Sequence, residues 1–170
     1  LYAPADQAEK LWDLLLETGR DDGLIPCGLG ARDTLRMEAA MPLYGHEMNE
    51  TVSPLETGLG FAVKMDKEDF IGKAALEAPA TRKRVGLKVT GRGIIREEQT
   101  VYVEDASAPD GRKEIGHTTS GTHCPFLGEP VGMALIDKEY AEVGTKLIVD
   151  VRGRMVEVEI VPLPFYTRAK

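Results

Sequence analysis

The first clear pattern along the chain is that of an amphipathic helix. Four apolar residues have the i, i+3, i+4 and i+7 spacing of one helical face: Ala8, Leu11, Trp12 and Leu15. We predict a helix over residues 6–18, with Asp6 as its N-cap and Gly19 at its C-terminal end. Because the stripe is continuous, we expect this face to belong to a core and to pack against a sheet.

Between this helix and about residue 80, the chain predicts short elements separated by irregular backbone. Residues 31–37 can form a short helix, residues 37–41 a short extended piece, and residues 73–77 a further helix. Pro42, Gly45 and Pro54 interrupt regular structure between the second and third of these elements.

After a linker at residues 79–83, the pattern changes to the alternation of β-strands. Apolar residues take every second position in five runs: Val85, Leu87 and Val89; Val101 and Val103; Val131, Met133 and Leu135; Leu147, Val149 and Val151; Val156, Val158 and Ile160. Arg152 and Gly153 predict a hairpin turn between the last two runs. Five or six short strands favour a small antiparallel barrel or sandwich, so we predict an α+β chain with domains at residues 1–79 and 80–170.

Composition narrows the range of partners. The net charge is −7 and the isoelectric point is about 5.1, so the basic surface that nucleic acid requires is lacking. The longest apolar runs are too short to cross a bilayer. The two cysteines have no near partner, which argues against a disulfide framework or a cysteine-based zinc site and favours a reducing cytoplasm. Since the first residue is Leu1 rather than Met, we expect the chain to begin inside a larger fold.

Familiar catalytic patterns are absent from the sequence. The three histidines, His46, His117 and His123, lack the spacing of metal ligands, so we predict no metal site. Ser120 lies outside a nucleophile elbow, and Cys124 has no nearby base to activate it. We interpret both of these residues as turn residues.

The most informative charged residues follow the glycine-rich stretch at residues 23–30. They are Arg32, Asp33, Arg36 and Glu38. One interpretation is a salt-bridge network that joins two segments of the chain. The other places the guanidinium of Arg32 against a carboxylate or a polar heterocycle of a ligand. Spacing alone leaves both interpretations open.

Six segments, in order, resemble the glycine cleavage system T-proteins. They are GLIPCGLGARDTLRMEA at residues 23–39, LYGHE at 43–47, PLETGL at 54–59, DFIGKAAL at 69–76, GHTTSGT at 116–122 and PFY at 164–166. The resemblance extends over essentially the whole chain. It implies the C-terminal part of an α/β folate-binding domain at residues 1–79, followed by a small antiparallel β-barrel at residues 80–170.

The resemblance also implies a reaction. T-proteins are aminomethyltransferases that release ammonia from the aminomethyl-lipoyl arm of H-protein and transfer the methylene group to tetrahydrofolate. By this resemblance Arg32 is a folate contact, and Arg168 or the nearby Tyr166 is a second one at the C-terminal end. The family's acidic catalytic aspartate falls in an N-terminal half that residues 1–170 do not contain, so no catalytic residue is assigned and this chain alone is expected to be inactive.

Two alternatives remain open at this point. The chain can be the folate-binding module of a dimethylglycine or sarcosine dehydrogenase, or a non-catalytic docking fragment that associates with itself or with another subunit. The chain departs from the family pattern at Cys124 and Phe126, which stand where many members have Ser-Pro-x-Leu, and at Met41, where some members have an aromatic residue.

Overall fold

The computed structural model describes residues 1–168, and these fall into two compact units. The first unit is Leu1–Asp33, and the second comprises everything from Thr34 onward. None of the helices in the described part has the length and apolarity needed to cross a bilayer.

The first unit is built around helix α1, Ala8–Thr18, which follows a 3₁₀ turn at Ala5–Gln7. The helix ends as predicted at Gly19, whose amide donates to the carbonyl of Leu15 at 2.9 Å. Its N-cap, however, is Gln7, and no side chain caps the amides there, so the predicted role of Asp6 is wrong.

The prediction that the apolar face of α1 lies in a core is also wrong. No residue of α1 is buried, and Trp12 is 53% and Leu15 42% exposed. The physical reason lies within the first unit itself, because its described elements include helices and turns but no strand that could cover this face.

Helix α2, Leu29–Glu38, includes the predicted segment 31–37 and continues past it. Residues 37–41 are therefore not extended as predicted. Ala40 has a φ of 52°, its amide donates to Met37, and the amide of Met41 donates back to the carbonyl of Arg36 at 2.8 Å. These two bonds form a Schellman motif, which ends the helix with a left-handed residue. The short helix α3, Lys73–Leu76, lies close to the prediction for residues 73–77.

The second unit contains a closed six-stranded antiparallel barrel, which confirms the predicted fold class. The strands are β1, Arg82–Val89; β2, Thr100–Glu104; β3, Arg112–Cys124; β4, Glu129–Asp137; β5, Lys146–Val151; and β6, Arg154–Val161. Their order around the barrel is β1-β4-β3-β2-β5-β6. The predicted hairpin turn is present, with positive φ at Arg152 and Gly153, as a tight two-residue turn requires.

Strand β3 corrects the interpretation of Ser120 and Cys124 as turn residues. Both lie within this strand, which pairs with β2 on one side and β4 on the other. The strand escapes prediction because its buried positions near the middle are hydroxyl residues, Thr118 and Thr119 among them, rather than alternating apolar ones.

Apolar side chains pack on both sides of the barrel wall. The interior is filled by buried residues from all six strands, including Leu87 of β1, Val149 of β5 and Ile160 of β6. A second cluster joins α2 and the helix end to β3 and β4: Met37, Ala40, Cys124, Val131 and Met133. This second cluster places the C-terminal turn of α2 on the outer wall of the barrel, and the candidate site lies around it.

Candidate functional site

The centre of the site is the carboxylate of Glu47, which is only 1% exposed. Its Oε2 atom accepts hydrogen bonds from Nη1 of Arg36 at 2.8 Å and from the amide of Leu43 at 2.9 Å. Its Oε1 atom accepts from Oγ1 of Thr119 at 2.7 Å and from Oγ of Ser120 at 2.5 Å. Four donors therefore compensate for the loss of hydration that burial of this charge imposes.

A β-bulge explains how two successive strand residues reach one carboxylate. Side chains of adjacent strand residues ordinarily point to opposite faces of a sheet. The register between β3 and β4 shifts between Thr118 and Ser120, and such a shift re-aims the side chains of the bulged strand. Thr119 and Ser120 consequently both donate to Glu47, whereas Thr118 donates to the carbonyl of Arg96 at 2.5 Å.

The hydroxyl of Ser120 also connects the two charged groups. It accepts a hydrogen bond from Nη2 of Arg36 at 2.7 Å while it donates to Glu47. Arg36, Glu47 and Ser120 thus form a closed triangle between α2, the following loop and the barrel. At its rim, Nδ1 of His46 lies 2.7 Å from Oε2 of Glu97 and 3.3 Å from the carbonyl of Thr119.

A second arginine, Arg84 of β1, is held largely by uncharged groups. Its Nε donates to the carbonyl of Thr57 at 2.8 Å, and its Nη1 donates to the carbonyl of Ala40 at 2.6 Å and lies 3.0 Å from the sulfur of Met133. Burial lowers the pKa of Arg84; the charge of Glu47 opposes this shift, and the charge of Arg36 adds to it. Arg84 therefore ties the end of α2 and the Thr57 turn to the barrel.

Glu56 and Arg82 form the second ion pair that attaches the loop region to the barrel. The guanidinium contacts both carboxylate oxygens at 3.1 Å, and the amide of Ser53 donates to the same carboxylate. Burial alone raises the pKa of Glu56, but the hydrogen bonds from Arg82 and Ser53 and the charge of Arg82 outweigh it and lower that pKa.

Glu38, the last residue of α2, joins two distant segments at the surface. Its carboxylate accepts a hydrogen bond from the amide of Phe126 at 3.1 Å, and its carbonyl accepts one from the amide of Tyr166 at 2.9 Å. The rings of Phe126 and Tyr166 then meet edge to face, with centroids 4.8 Å apart and an interplanar angle of 68°.

The residues assigned from the sequence belong to both units. Arg32 is exposed on α2 in the first unit; its amide donates to the carbonyl of Gly28 at 3.3 Å, and its guanidinium has no hydrogen bond or ion pair to another residue that the structure describes. Tyr166 and Arg168 lie two residues apart in the C-terminal segment of the second unit, and both are exposed, Tyr166 at 39%. Their role as folate contacts stays a prediction.

Two of the charged residues near Arg32 bind groups farther along the chain. Arg36 pairs with Glu47, and Glu38 binds the amide of Phe126. No group of three histidine, cysteine, aspartate or glutamate side chains within residues 1–168 could hold a metal ion. Cys27 is exposed and Cys124 is buried, and both are free of disulfides.

Sequence reasoning missed Glu47, Thr119 and Ser120 as members of a shared site. Ser120 lies 73 positions from Glu47 and 84 from Arg36, so no local spacing connects them. The only available signal was a run of three hydroxyl residues, Thr118, Thr119 and Ser120, within a segment otherwise poor in apolar residues.

Two family models match successive parts of the chain. The family model described as the GCVT N-terminal domain matches residues 1–67, and the one described as the glycine cleavage T-protein C-terminal barrel domain matches residues 82–167. An aminomethyltransferase from Bacillus cereus is 48% identical over 100% of this chain and 46% of its own length. One from Halalkalibacterium halodurans is 49% identical over 99% of this chain and 45% of its own.

A solved aminomethyltransferase structure is also similar to this chain. The crystal structure of glycine cleavage system aminomethyltransferase T from Bartonella henselae superposes with a TM-score of 0.80 and 30% identity, covering 96% of this chain and 45% of that one. The chain therefore spans about half the length of the relatives that it matches.

Proposed function

Because this chain belongs to the glycine cleavage T-protein family, we propose that it forms part of a tetrahydrofolate-dependent aminomethyltransferase. In the proposed reaction, the aminomethyl group on the lipoyl arm of H-protein loses its nitrogen as ammonia. The methylene carbon passes to tetrahydrofolate, which becomes 5,10-methylene-tetrahydrofolate, and the lipoyl arm is left as the dithiol. We place this reaction in the cytoplasm.

One observation carries the proposal. Relatives named aminomethyltransferases match all or nearly all of this chain at 48–49% identity, and the two family models follow one another along it in order. Substrate, co-substrate and partner are inferred from that kinship.

The exposed residues offer chemistry that suits a reduced folate. Tetrahydrofolate carries carboxylates at one end and a polar heterocycle at the other, and a guanidinium can bind either through paired N–H donors. Arg32 presents such a group without an internal partner among residues 1–168. Tyr166 adds an aromatic surface and a hydroxyl, and Arg168 adds a second cation, both exposed.

This proposal assigns the proton chemistry to residues outside this chain. The family resemblance places the acidic group beyond residues 1–170, and the residues described here supply binding and positioning. We therefore expect the isolated chain not to turn over substrate.

The exposed face of α1 supports a second candidate, in which the chain by itself acts as a docking module without activity. Trp12 and Leu15 present an uncovered apolar surface, and such surfaces commonly bind other proteins or a second copy of the chain. Size-exclusion chromatography tests this candidate, because a clean, folded monomer that binds nothing contradicts it.

Calorimetric titration of tetrahydrofolate into the intact gene product tests the proposed function. Arg32→Ala should weaken binding by about 1.5–3 kcal/mol, the typical contribution of a hydrogen bond to a charged group. Arg20→Ala is the matched control, since Arg20 is also an exposed arginine of the first unit. Tight binding by the unaltered protein, weakened only by the Arg32 change, supports the assignment, and equal binding by both variants contradicts the role of Arg32.

A further inference from the structure

Glu38 occupies a position that is unfavourable for an acidic residue. Its side chain is buried, at 5% exposure, and it is the last residue of α2. Burial of a carboxylate is costly unless it is well compensated, and the C-terminal end of a helix carries partial negative charge that disfavours a further negative group. Among the described residues, the carboxylate receives a single hydrogen bond, from the amide of Phe126.

An apolar residue would suit this environment better. The residues that Glu38 binds are the aromatic Phe126 and Tyr166, so a leucine in its place would have apolar neighbours. The presence of glutamate therefore points to a role other than stability.

Glu38 forms hydrogen bonds with two segments that are far apart in the sequence. The carboxylate holds the turn between β3 and β4 at Phe126, and the carbonyl holds the C-terminal segment at Tyr166. The preceding residue, Phe165, packs against the apolar cluster that joins α2 to β3 and β4. The C-terminal segment is therefore anchored at Phe165, while the side chain of Tyr166 is exposed.

The result is a pair of crossed aromatic rings on the surface. Phe126 is 70% and Tyr166 39% exposed, although aromatic rings usually contribute most to a protein when they are buried. Two exposed rings held in a defined edge-to-face arrangement provide a rigid aromatic surface, and such a surface binds flat ring systems at little entropic cost.

We propose that Glu38 is a positioning residue of the folate site: its carboxylate fixes the amide of Phe126 and its main-chain carbonyl fixes the amide of Tyr166, so that the two rings contact the aromatic part of tetrahydrofolate. This inference rests on the proposed function. It adds Phe126 as a ligand contact and gives Glu38 a role exerted through its two partners rather than through the ligand.

Two substitutions separate positioning from stability. Glu38→Gln keeps an oxygen that can accept from the Phe126 amide, whereas Glu38→Leu has a similar size and no acceptor. In the intact gene product, we expect the leucine variant to bind tetrahydrofolate at least tenfold more weakly while its melting temperature is maintained, and the glutamine variant to stay within twofold of the unaltered protein. Hydrogen exchange at the Phe126 amide should become faster in the leucine variant alone.

The outcomes distinguish this inference from the function on which it rests. If the unaltered protein binds tetrahydrofolate and Glu38→Leu binds equally well, the positioning role is overturned and the proposed function stands. If the unaltered protein does not bind tetrahydrofolate, both are overturned. Should Glu38→Leu fail to fold, Phe126→Ala replaces it, since this variant keeps the amide and removes only the ring; we expect about fivefold weaker binding, and unchanged binding overturns the inference.

Discussion

Arg36 and Glu47 form a buried ion pair between helix α2 and the loop that follows it, with Nη1 2.8 Å from Oε2. Ser120 of the barrel wall completes the pair, since its hydroxyl accepts from Arg36 and donates to Glu47. Such pairs contribute little net stability compared with apolar residues of the same size, but they are costly to break, because one charge is then left buried alone.

Removing the charge of Glu47 should therefore strongly destabilise the chain. Glu47→Gln removes the carboxylate charge that the buried guanidinium of Arg36 binds, and we expect a loss of about 3–5 kcal/mol in the free energy of unfolding, measured by urea denaturation. Glu50→Gln is the control, because Glu50 is exposed in the same loop region and should change stability by less than about 0.5 kcal/mol. Similar losses of stability in the two variants would contradict the prediction that the buried charge of Glu47 stabilises the fold.

The double variant Arg36→Met/Glu47→Leu tests whether the two residues act as a unit. Since it removes both charges together, it should be less destabilised than the sum of the single variants, with a coupling of about 1–3 kcal/mol. Additive losses in the same denaturation series would show that each residue acts independently.

Gly116 should tolerate no side chain. Its φ is 151°, and an added Cβ would collide with the carbonyl oxygen of Leu135 and lie 2.8 Å from the Cα of Ile136, both on the paired strand β4. We expect Gly116→Ala to cost about 2–4 kcal/mol through overlap with the backbone and strain.

Gly153→Ala provides the comparison for Gly116→Ala. Gly153 has a φ of 84° in the last hairpin, but nothing lies within 4 Å of an added Cβ. This variant experiences only the cost of a left-handed conformation, roughly 1–2 kcal/mol. Thermal unfolding of both variants checks the difference, and equal melting temperatures would contradict the close approach of β3 and β4 at Gly116.

The ion pair of Glu56 predicts a dependence of stability on pH. The pKa of Glu56 in the folded chain lies below its usual value, so its contribution is present above the unfolded-state pKa of about 4.3 and is lost as the pH falls through the folded-state value. Glu56→Gln should cost about 1–2 kcal/mol at neutral pH, and the difference from the unaltered chain should shrink below pH 4.

Urea denaturation at several pH values measures this effect. The exposed Glu142 supplies the control, because Glu142→Gln should leave the pH profile of stability unchanged. A difference between Glu56→Gln and the unaltered chain that stays constant down to pH 2 would show that the pair with Arg82 does not depend on the charge of Glu56.

Much of the fold could be predicted from local patterns. The strands β1, β5 and β6 contain alternating apolar residues, because one face of each of these strands fills the barrel interior. The alternating set of β4 includes Val131 and Met133, which lie in the cluster on the outer wall. Arg152 with Gly153 fits a tight hairpin turn. The end of α2 was less predictable, since Ala40 adopts a left-handed conformation that is usually left to glycine.

The polar part of the site could not be predicted in the same way. Strand β3 buries hydroxyl groups that Glu47 and local carbonyls satisfy, so its burial leaves no hydrophobic signal. Contacts such as Arg36 with Ser120 join residues far apart in the chain, and they depend on barrel closure and on a bulge. For α1 the pattern misleads in the other direction: its apolar stripe correctly predicts a helix, but the prediction that this stripe is buried is wrong.

The most direct test of the proposed function is tetrahydrofolate-dependent release of ammonia from aminomethyl-lipoyl H-protein, measured with the intact gene product and with residues 1–170 in parallel. Release by the intact product, dependent on both tetrahydrofolate and the loaded H-protein, and no release by residues 1–170, is the result that we predict. If the intact product released no ammonia while a parallel assay with a known aminomethyltransferase succeeded, the assignment would be contradicted and the flavin-enzyme module or docking role would take its place.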